Sequence, residues 1–569
     1  MPAIFRPALK TSLTLLACAA LLAPLHAGAG AAAPAARADG TAATKEAVAR
    51  PRLLVVMVID GLPSEQVQRY RDQFGQGGLR RLLEQGASFT NAHQAHGITV
   101  TAIGHTAVLT GAYPYRHGII GNNWLDADGR QVYCTEDTRY TYIGEPATDP
   151  HDGTSPALLR VDTLGDQLRY ATGNRSKVVT VSGKDRGAIL LAGKTGTAYM
   201  FMDKTGDFAS STYYMQQHPA WVERFRAGKP QDRYYGKAWT PLLPDSAYAD
   251  DAPFPAPSLK GPNRFPFMFY SESGAPAADY YNRLKTSPAV DELTLEFARA
   301  AVEGEQLGSN PSGATDVLGI SLSGHDYVNH AYGPESRMSH DHLQQVDRKI
   351  AAFFDFLDRR IGMDNVLVVL TADHGFSNTP EFSRQRRIDA ARIDPKAVTA
   401  GLGKALAERF GAPGLVKTSY LPEIYLDYAA IDKRGLARAD VEDAAARILL
   451  AQPGIAEVFT RTQMERGVAA NSRMATLMQR AWNRELSGDL LVVPAAYSFF
   501  SGGAEGTTHG TPYNYDTSVP LLIMGKRWIR PGALGQYAEV VDIAPTLAHI
   551  LRVRAPAAAE GRVLTEALR

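Results

Sequence analysis

The sequence predicts an α/β fold: a three-layer αβα sandwich with a mostly parallel central sheet and inserted subdomains over its active-site edge. Three observations carry this. Short continuous apolar runs rich in Val, Ile and Leu recur along the 569 residues, and a strand buried on both faces reads as such a run, without alternation. Helical stretches separate the runs, as parallel strands require. Each run is followed by ionisable residues, and open parallel sheets gather functional groups beyond the carboxyl ends of their strands.

The elements follow in order. "RLLVVMVIDG" (52–61) leads to Asp60, and "SKVVTVSGKDR" (176–186) to Lys184 and Arg186. "TDVLGISLSGHD" (315–326) leads to Asp326, and "DNVLVVLTADHG" (364–375) to Asp373 and His374. "SVPLLIMG" (518–525) comes late in the chain, and "HLQQVDRKIAAFFDFLDRRI" (342–361) reads as a covering helix. Residues 190–290, rich in Tyr, Trp, Pro and Gly, and residues 377–490, mixing helical and strand-like pieces, differ in texture. Both are read as insertions within one catalytic domain spanning 51–569.

Composition narrows the class. Hydrophobic residues make up 45% and charged residues 21%, as in an ordinary soluble globular protein. The formal charge of +1 supplies no global field for nucleic acid or membrane, so anion binding must be local. Residues 1–29 carry Arg6 and Lys10, an apolar stretch and the small-residue pattern Ala27-Gly28-Ala29, which is a secretory signal. The mature chain is then periplasmic or secreted. Lipid anchoring at Cys18 in "LLAC" is the lesser reading, because the apolar run continues past it. Residues 30–50 read as a flexible linker, and no further membrane-length run occurs. Cys134 becomes the only cysteine, so no intrachain disulfide forms, and a buried thiol is its bland reading.

Metal ligands come next. Asp326 and His330 in "HDYVNH" stand at i and i+4, one face of a helix. Asp373 and His374 are adjacent, so they converge only where the chain has turned out of its strand. His509 lies between glycine-bordered turns in "GTTHGTPYNYD". With Asp60 these are three carboxylates and three imidazoles, a mixed N/O set that suits zinc, with manganese or iron as alternatives. Six ligands exceed one catalytic zinc, whereas two metals roughly 4 Å apart clamp the attacking and leaving oxygens of a phosphoryl displacement. Thr101 precedes the short helix "AIGHTAVLT", where backbone N–H groups favour anions. It is either an ordinary N-cap or a nucleophile activated by metal coordination. Lys184 and Arg186, two apart on one side of an extended segment, suit non-bridging phosphate oxygens or form a solvated strand end. "GAILLAGKT" (187–195) mimics a phosphate-binding loop but spaces its glycines by five residues where four are needed, and "RQRR" (384–387) reads as a solvated basic face.

Six motifs in order, "VMVIDG", "TAIGHTAVLTGAYPYRHGIIGNNW", "SGKDRGAI", "DYVNH", "TADHGF" and "GTTHGTPYNYDTSVPLLIMG", resemble the alkaline phosphatase superfamily. Within it they resemble the secreted bacterial phosphate-irrepressible alkaline phosphatases with a threonine nucleophile. The resemblance runs from about residue 52 to "VVDIAPTLAHIL" near the C-terminus. It implies two Zn²⁺, one held by Asp60, Thr101, Asp373 and His374, the other by Asp326, His330 and His509. It further implies attack by Thr101 on small-molecule phosphate monoesters through a phospho-threonine, with Asn122, Lys184 and Arg186 binding the phosphoryl oxygens. Relatives that cleave phosphodiesters and nucleotide pyrophosphates typically lack the Lys/Arg pair of "GKDR". Physically, two cations match the extra charged oxygen of a monoester dianion. The alternatives are therefore a phosphodiesterase or nucleotide pyrophosphatase, and a metal-dependent phosphate-ester binding protein without turnover. Ile103 stands where many relatives carry proline, and Asn329 where glycine is common.

Overall fold

All seven residues of β1 (Leu53–Ile59) are without exposed surface, which is why the run reads LLVVMVI with no polar alternation. The computed structural model describes residues 49–252, 265–467 and 472–569, all within one compact unit, Val48–Arg569. The expected signal peptide (1–29) and all but the end of the expected linker (30–50) lie outside the described residues.

β1 is central in a nine-stranded sheet. The other strands are β2 (Ala87–Phe89), β3 (Val178–Ser182), β4 (Thr197–Phe201), β5 (Phe208–Ala209), β6 (Asp316–Leu322), β7 (Val366–Thr371), β8 (Leu521–Met524) and β9 (Gly532–Leu534). Their spatial order is β9-β2-β8-β7-β1-β6-β3-β4-β5. The five strands β7-β1-β6-β3-β4 are mutually parallel. Register decides the function of this sheet. Leu53 pairs with Asp316 on one side and Val366 on the other, and Val58 with Ser321 and Thr371. The carboxyl ends of β6, β1 and β7 are therefore level, and Asp326, Asp60 and Asp373 leave the sheet at one edge although over three hundred residues separate the first and last in sequence.

"SVPLLIMG" forms β8 as expected, but it runs antiparallel to β7 and β2. That reversal explains the placement of His509. The parallel strands deliver their ligands after they end, whereas a reversed strand must deliver its ligand before it begins.

Helices cover both faces of the central strands, whose residues are buried throughout. Five matter here: α1 (Thr101–Thr110), α2 (Asp185–Ala192), α3 (Pro288–Gly304), α4 (Gly324–Tyr332) and α5 (Arg337–Ile361). α2 packs on α1, β3 and β4, while α5 packs on α3 and α4. The helix expected at 342–361 begins five residues earlier, where the Ser336 side chain accepts the Ser339 N–H as an N-cap.

In the 190–290 stretch, residues 190–192 end α2, and the main sheet continues through β4 and β5. The 377–490 stretch builds a four-stranded sheet in the order 416–420, 423–426, 490–494, 455–460, antiparallel throughout. An apolar cluster containing Leu402, Ile424, Ala445 and Leu490 backs it. Ile103 of α1 joins a separate cluster with Phe459, Met478, Trp482 and Leu491, which packs α1 against this second sheet. Among the described residues no helix is long and apolar enough to cross a membrane.

Candidate metal and phosphate site

The turn after β1 starts the site. Gly61 has φ of +68°, a left-handed conformation that glycine takes without strain. In it the Gly61 N–H donates to Asp373 Oδ1 at 3.0 Å. The Asn329 side chain donates to the Gly61 carbonyl at 2.9 Å. Asn329 thus ties α4 to the Asp60 turn.

The six expected ligands converge. His374 Nε2 lies 3.6 Å from Asp60 Oδ1, 3.9 Å from Asp326 Oδ1 and 3.4 Å from Asp373 Oδ2. His330 Nε2 and His509 Nε2 lie 3.5 and 3.6 Å from Asp326 Oδ1, the first across one helical turn. The His374 and His509 rings stack at 3.4 Å between centroids. Each imidazole is oriented through its other nitrogen: His330 Nδ1 to the Thr507 carbonyl, His374 Nδ1 to that of Gly375, and His509 Nδ1 to that of Thr99, at 2.7–2.9 Å. A backbone carbonyl can only accept, so Nδ1 holds the proton and Nε2 presents its lone pair inward, as metal-ligating histidines do.

This donor set fits divalent metal. Asp60 Oδ1, Asp326 Oδ1, Asp373 Oδ2 and His374 Nε2 are buried without hydrogen-bond partners among the described atoms, and such groups ordinarily have one. Two groups have ligand atoms within 4.8 Å of one another: Asp326, His374 and His509, and Asp60, His105 and Asp373. His374 therefore reaches both carboxylate groups, and His105 enters a set in which the sequence reading had not placed it.

His105 lies one turn after Thr101. Its Nδ1 contacts the Thr101 carbonyl at 2.9 Å and Asp373 Oδ2 at 3.2 Å, and its Nε2 contacts Ser321 Oγ at 2.8 Å. Its side chain is fully buried. The signal was present as i, i+4 spacing from Thr101. A lone histidine in an apolar helix nevertheless carries little information without its partner strand.

Thr101 is 1% exposed and is the first helical residue, preceded by Val100 in extended conformation. The N-cap reading is thereby corrected, because the Asn122 Oδ1 accepts the Ala102 N–H at 2.9 Å. Asn122 leads into a hairpin of residues 123–125 and 131–133 that pairs Asn123 with Tyr133. With Oδ1 committed, its Nδ2 donors remain for an anion. α1 ends at Gly111, φ +65°.

The extended-segment reading of "GKDR" is also corrected. Lys184 caps α2 in extended conformation, and Arg186 already lies inside the helix. Lys184 Nζ contacts Asp60 Oδ2 at 2.8 Å and Asp326 Oδ2 at 2.5 Å. Arg186 Nη1 donates to the Tyr133 hydroxyl at 3.2 Å, and that hydroxyl donates to Asp185 Oδ1 at 2.6 Å.

Electrostatics separate the three carboxyls. Burial and then the neighbouring Asp373 push Asp60 upward, against the pull of Lys184. Burial opposes ionisation of Asp326 too, but Lys184 followed by the three histidines holds it well below the usual carboxylate range. Asp373 is likewise depressed despite burial, by His374 and His105. Burial raises the Cys134 thiol to about 12, which makes it inert. Residues 384–387 are exposed, as expected of a solvated basic run.

The family described as type I phosphodiesterase / nucleotide pyrophosphatase matches residues 54–513. The chain belongs to that family, within the alkaline phosphatase superfamily. Its relatives include the alkaline phosphatase PhoV of Synechococcus elongatus, 35% identical over 92% of this chain and 94% of that protein. A Myroides odoratus protein named calcium-transporting ATPase is 35% identical over 92% of this chain and 96% of its own. The alkaline phosphatase PafA of Elizabethkingia meningoseptica is 34% identical over 92% and 95%. The crystal structure of PafA matches with a TM-score of 0.84 at 32% identity, covering 92% of this chain and all of that one. The family is thus described by diester and pyrophosphate chemistry, while the relatives PhoV and PafA are named for alkaline phosphatase activity.

Proposed function

We propose that the protein is a two-zinc hydrolase of phosphate monoesters acting through a phospho-threonine, exported by the signal at residues 1–29. The observation that carries the monoester reading is buried Lys184, whose Nζ stands within 3 Å of two candidate ligand carboxylates, with Arg186 two residues on and held by Tyr133. The relatives named alkaline phosphatases support it.

Asp60, Thr101, Asp373 and His374 would hold one zinc, and Asp326, His330 and His509 the other, with His105 orienting Asp373. When bound, the metals supply Lewis acidity that lowers the pKa of the Thr101 hydroxyl and stabilises charge on the phosphoryl oxygens. The protein's own part is positional. Asn122 Nδ2, the Lys184 ammonium and the Arg186 guanidinium bind non-bridging oxygens, and the α1 N-terminus favours the same anion. With those oxygens held, Thr101 Oγ faces phosphorus opposite the leaving alcohol. The Thr101 hydroxyl gives up its proton, the P–O bond to the alcohol breaks as the Oγ–P bond forms, and the leaving oxygen takes up a proton to depart as the alcohol. Water later cleaves Oγ–P, a water proton restoring the threonine hydroxyl as phosphate leaves.

Phosphate release from an aryl phosphate by the zinc-loaded protein tests this, with Thr101→Ala in parallel. The expected loss in kcat is about a thousandfold or more, together with loss of a phosphorylated Thr101 peptide trapped at acid pH. Full activity in Thr101→Ala would remove it as nucleophile.

A further inference from the structure

A cavity of about 200 Å³ opens between Asn122 and His509. Its walls include Ile98, Val100, Ile120, Leu421, Met478 and Phe500, brought together by the approach to α1, the Asn122 hairpin and the second sheet. No lysine or arginine is among the described residues that line it, and its one carboxyl is Glu423. Glu423 is 5% exposed, and its Oε2 accepts the Tyr425 hydroxyl at 2.6 Å.

The site therefore changes character over a short span. The phosphoryl end is cationic through Lys184 and Arg186, while the wall beyond Asn122 is largely apolar, with Asn123, Thr508 and Thr511 as neutral polar groups and Glu423 as its one carboxyl. Apolar cavities of about 150 Å³ accept a benzene ring, so this one suits a single aromatic ring with a small substituent. Val100 directly precedes Thr101, and Asn122 and His509 belong both to the cavity and to the proposed phosphate and metal machinery. A group esterified to a phosphoryl bound at Thr101 has this cavity as its neighbour.

We propose that this cavity is the leaving-group subsite, favouring phosphate monoesters of neutral aromatic or apolar alcohols over monoesters whose alcohol carries a second anion. The proposal rests on the monoesterase reading above. An anionic leaving group would lose hydration against Ile98, Ile120 and Leu421 with no cation to replace it; burial pushes Glu423 up to about 7, so at alkaline pH it adds a like charge. Selection of this kind works by leaving the wrong group unpaired.

The test compares kcat/KM of the zinc-loaded protein for para-carbamoylphenyl phosphate and para-carboxyphenyl phosphate, esters of nearly equal size. The neutral ester is expected to be favoured by about tenfold. Leu421→Lys and Glu423→Gln are each expected to bring the ratio toward unity. Leu421 is half-buried, so a lysine stem can lie along the wall with its ammonium outward, and Glu423→Gln gives the same readout without changing size. Equal kcat/KM for the two esters, or a ratio that neither substitution moves, overturns the subsite while leaving monoesterase activity intact. Failure to turn over either ester, with diesters cleaved instead, overturns the monoesterase reading and the subsite with it.

Discussion

His105 belongs to one of the two candidate ligand groups, with Asp60 and Asp373. It touches the backbone of the proposed nucleophile and the free oxygen of Asp373, so it sets where Asp373 presents its lone pairs. Such partners typically hold one to two orders of magnitude of metal affinity. His105→Ala is expected to weaken zinc binding by about 10–100-fold, measured by zinc competition against a chromogenic chelator, with the fold retained by circular dichroism. Affinity equal to the parent's would assign His105 to packing alone. At this scale the sequence was legible where chemistry and strand ends coincide. Asp60, Asp326, Asp373 and His374 stand out because ionisable residues follow apolar runs, His330 by its i, i+4 spacing from Asp326, and His509 by its glycine-bordered turns. His105 sits inside an apolar helix, and Tyr133 needs a hairpin to reach Arg186, so neither carries a local signature. Asn122 was reached through family resemblance, and its grip on the Ala102 N–H emerged only from the fold.

Among the elements, α1 is held by contact on two sides. Ile103 packs it to the second sheet, and Gly104 lets its backbone meet the β7 turn. A Cβ on Gly104 would fall 2.0 Å from the Asp373 carbonyl oxygen, and backbone there cannot yield without moving a ligand. Gly104→Ala is expected to cost about 1–3 kcal/mol, read as a lowered melting temperature, and to reduce activity more than stability. Unchanged melting and activity would show that the approach is loose. The helix itself was legible from Gly111 and its length, and the parallel strands from their unbroken apolar runs. The reversal of β8 was not, because a buried strand reads the same in either direction. The second sheet was blurred for a related reason: residues 416–420 are mostly half-exposed or exposed, so no continuous run marks them.

For the whole molecule, pH acts through buried imidazoles as well as through metal ligands. Burial lowers His96 to about 3 and His93 to about 4. Both stay neutral in the fold, while an unfolded chain binds protons below about 6.5. Stability from these groups is therefore complete above pH 6.5 and declines as pH falls toward the folded values. At pH 5 His96 alone accounts for about 2 kcal/mol. Melting of chelator-treated protein at pH 5 and 7.5 is expected to show this decline, reduced in His96→Asn; a pH-independent melting temperature would contradict it. The level sheet edge that collects the site was legible from strand-end residues alone, whereas register, which makes the ends level, was not. The central claim is that Lys184 and Arg186 make this edge a monoesterase. It is tested most directly by the ratio of kcat/KM for phenyl phosphate and methyl phenyl phosphate with zinc-loaded protein, repeated with Lys184→Ala and Arg186→Ala. The expected result is a preference for the monoester that falls by about a hundredfold or more in each variant, with diester hydrolysis changing less. A preference for the diester that neither substitution alters would contradict it.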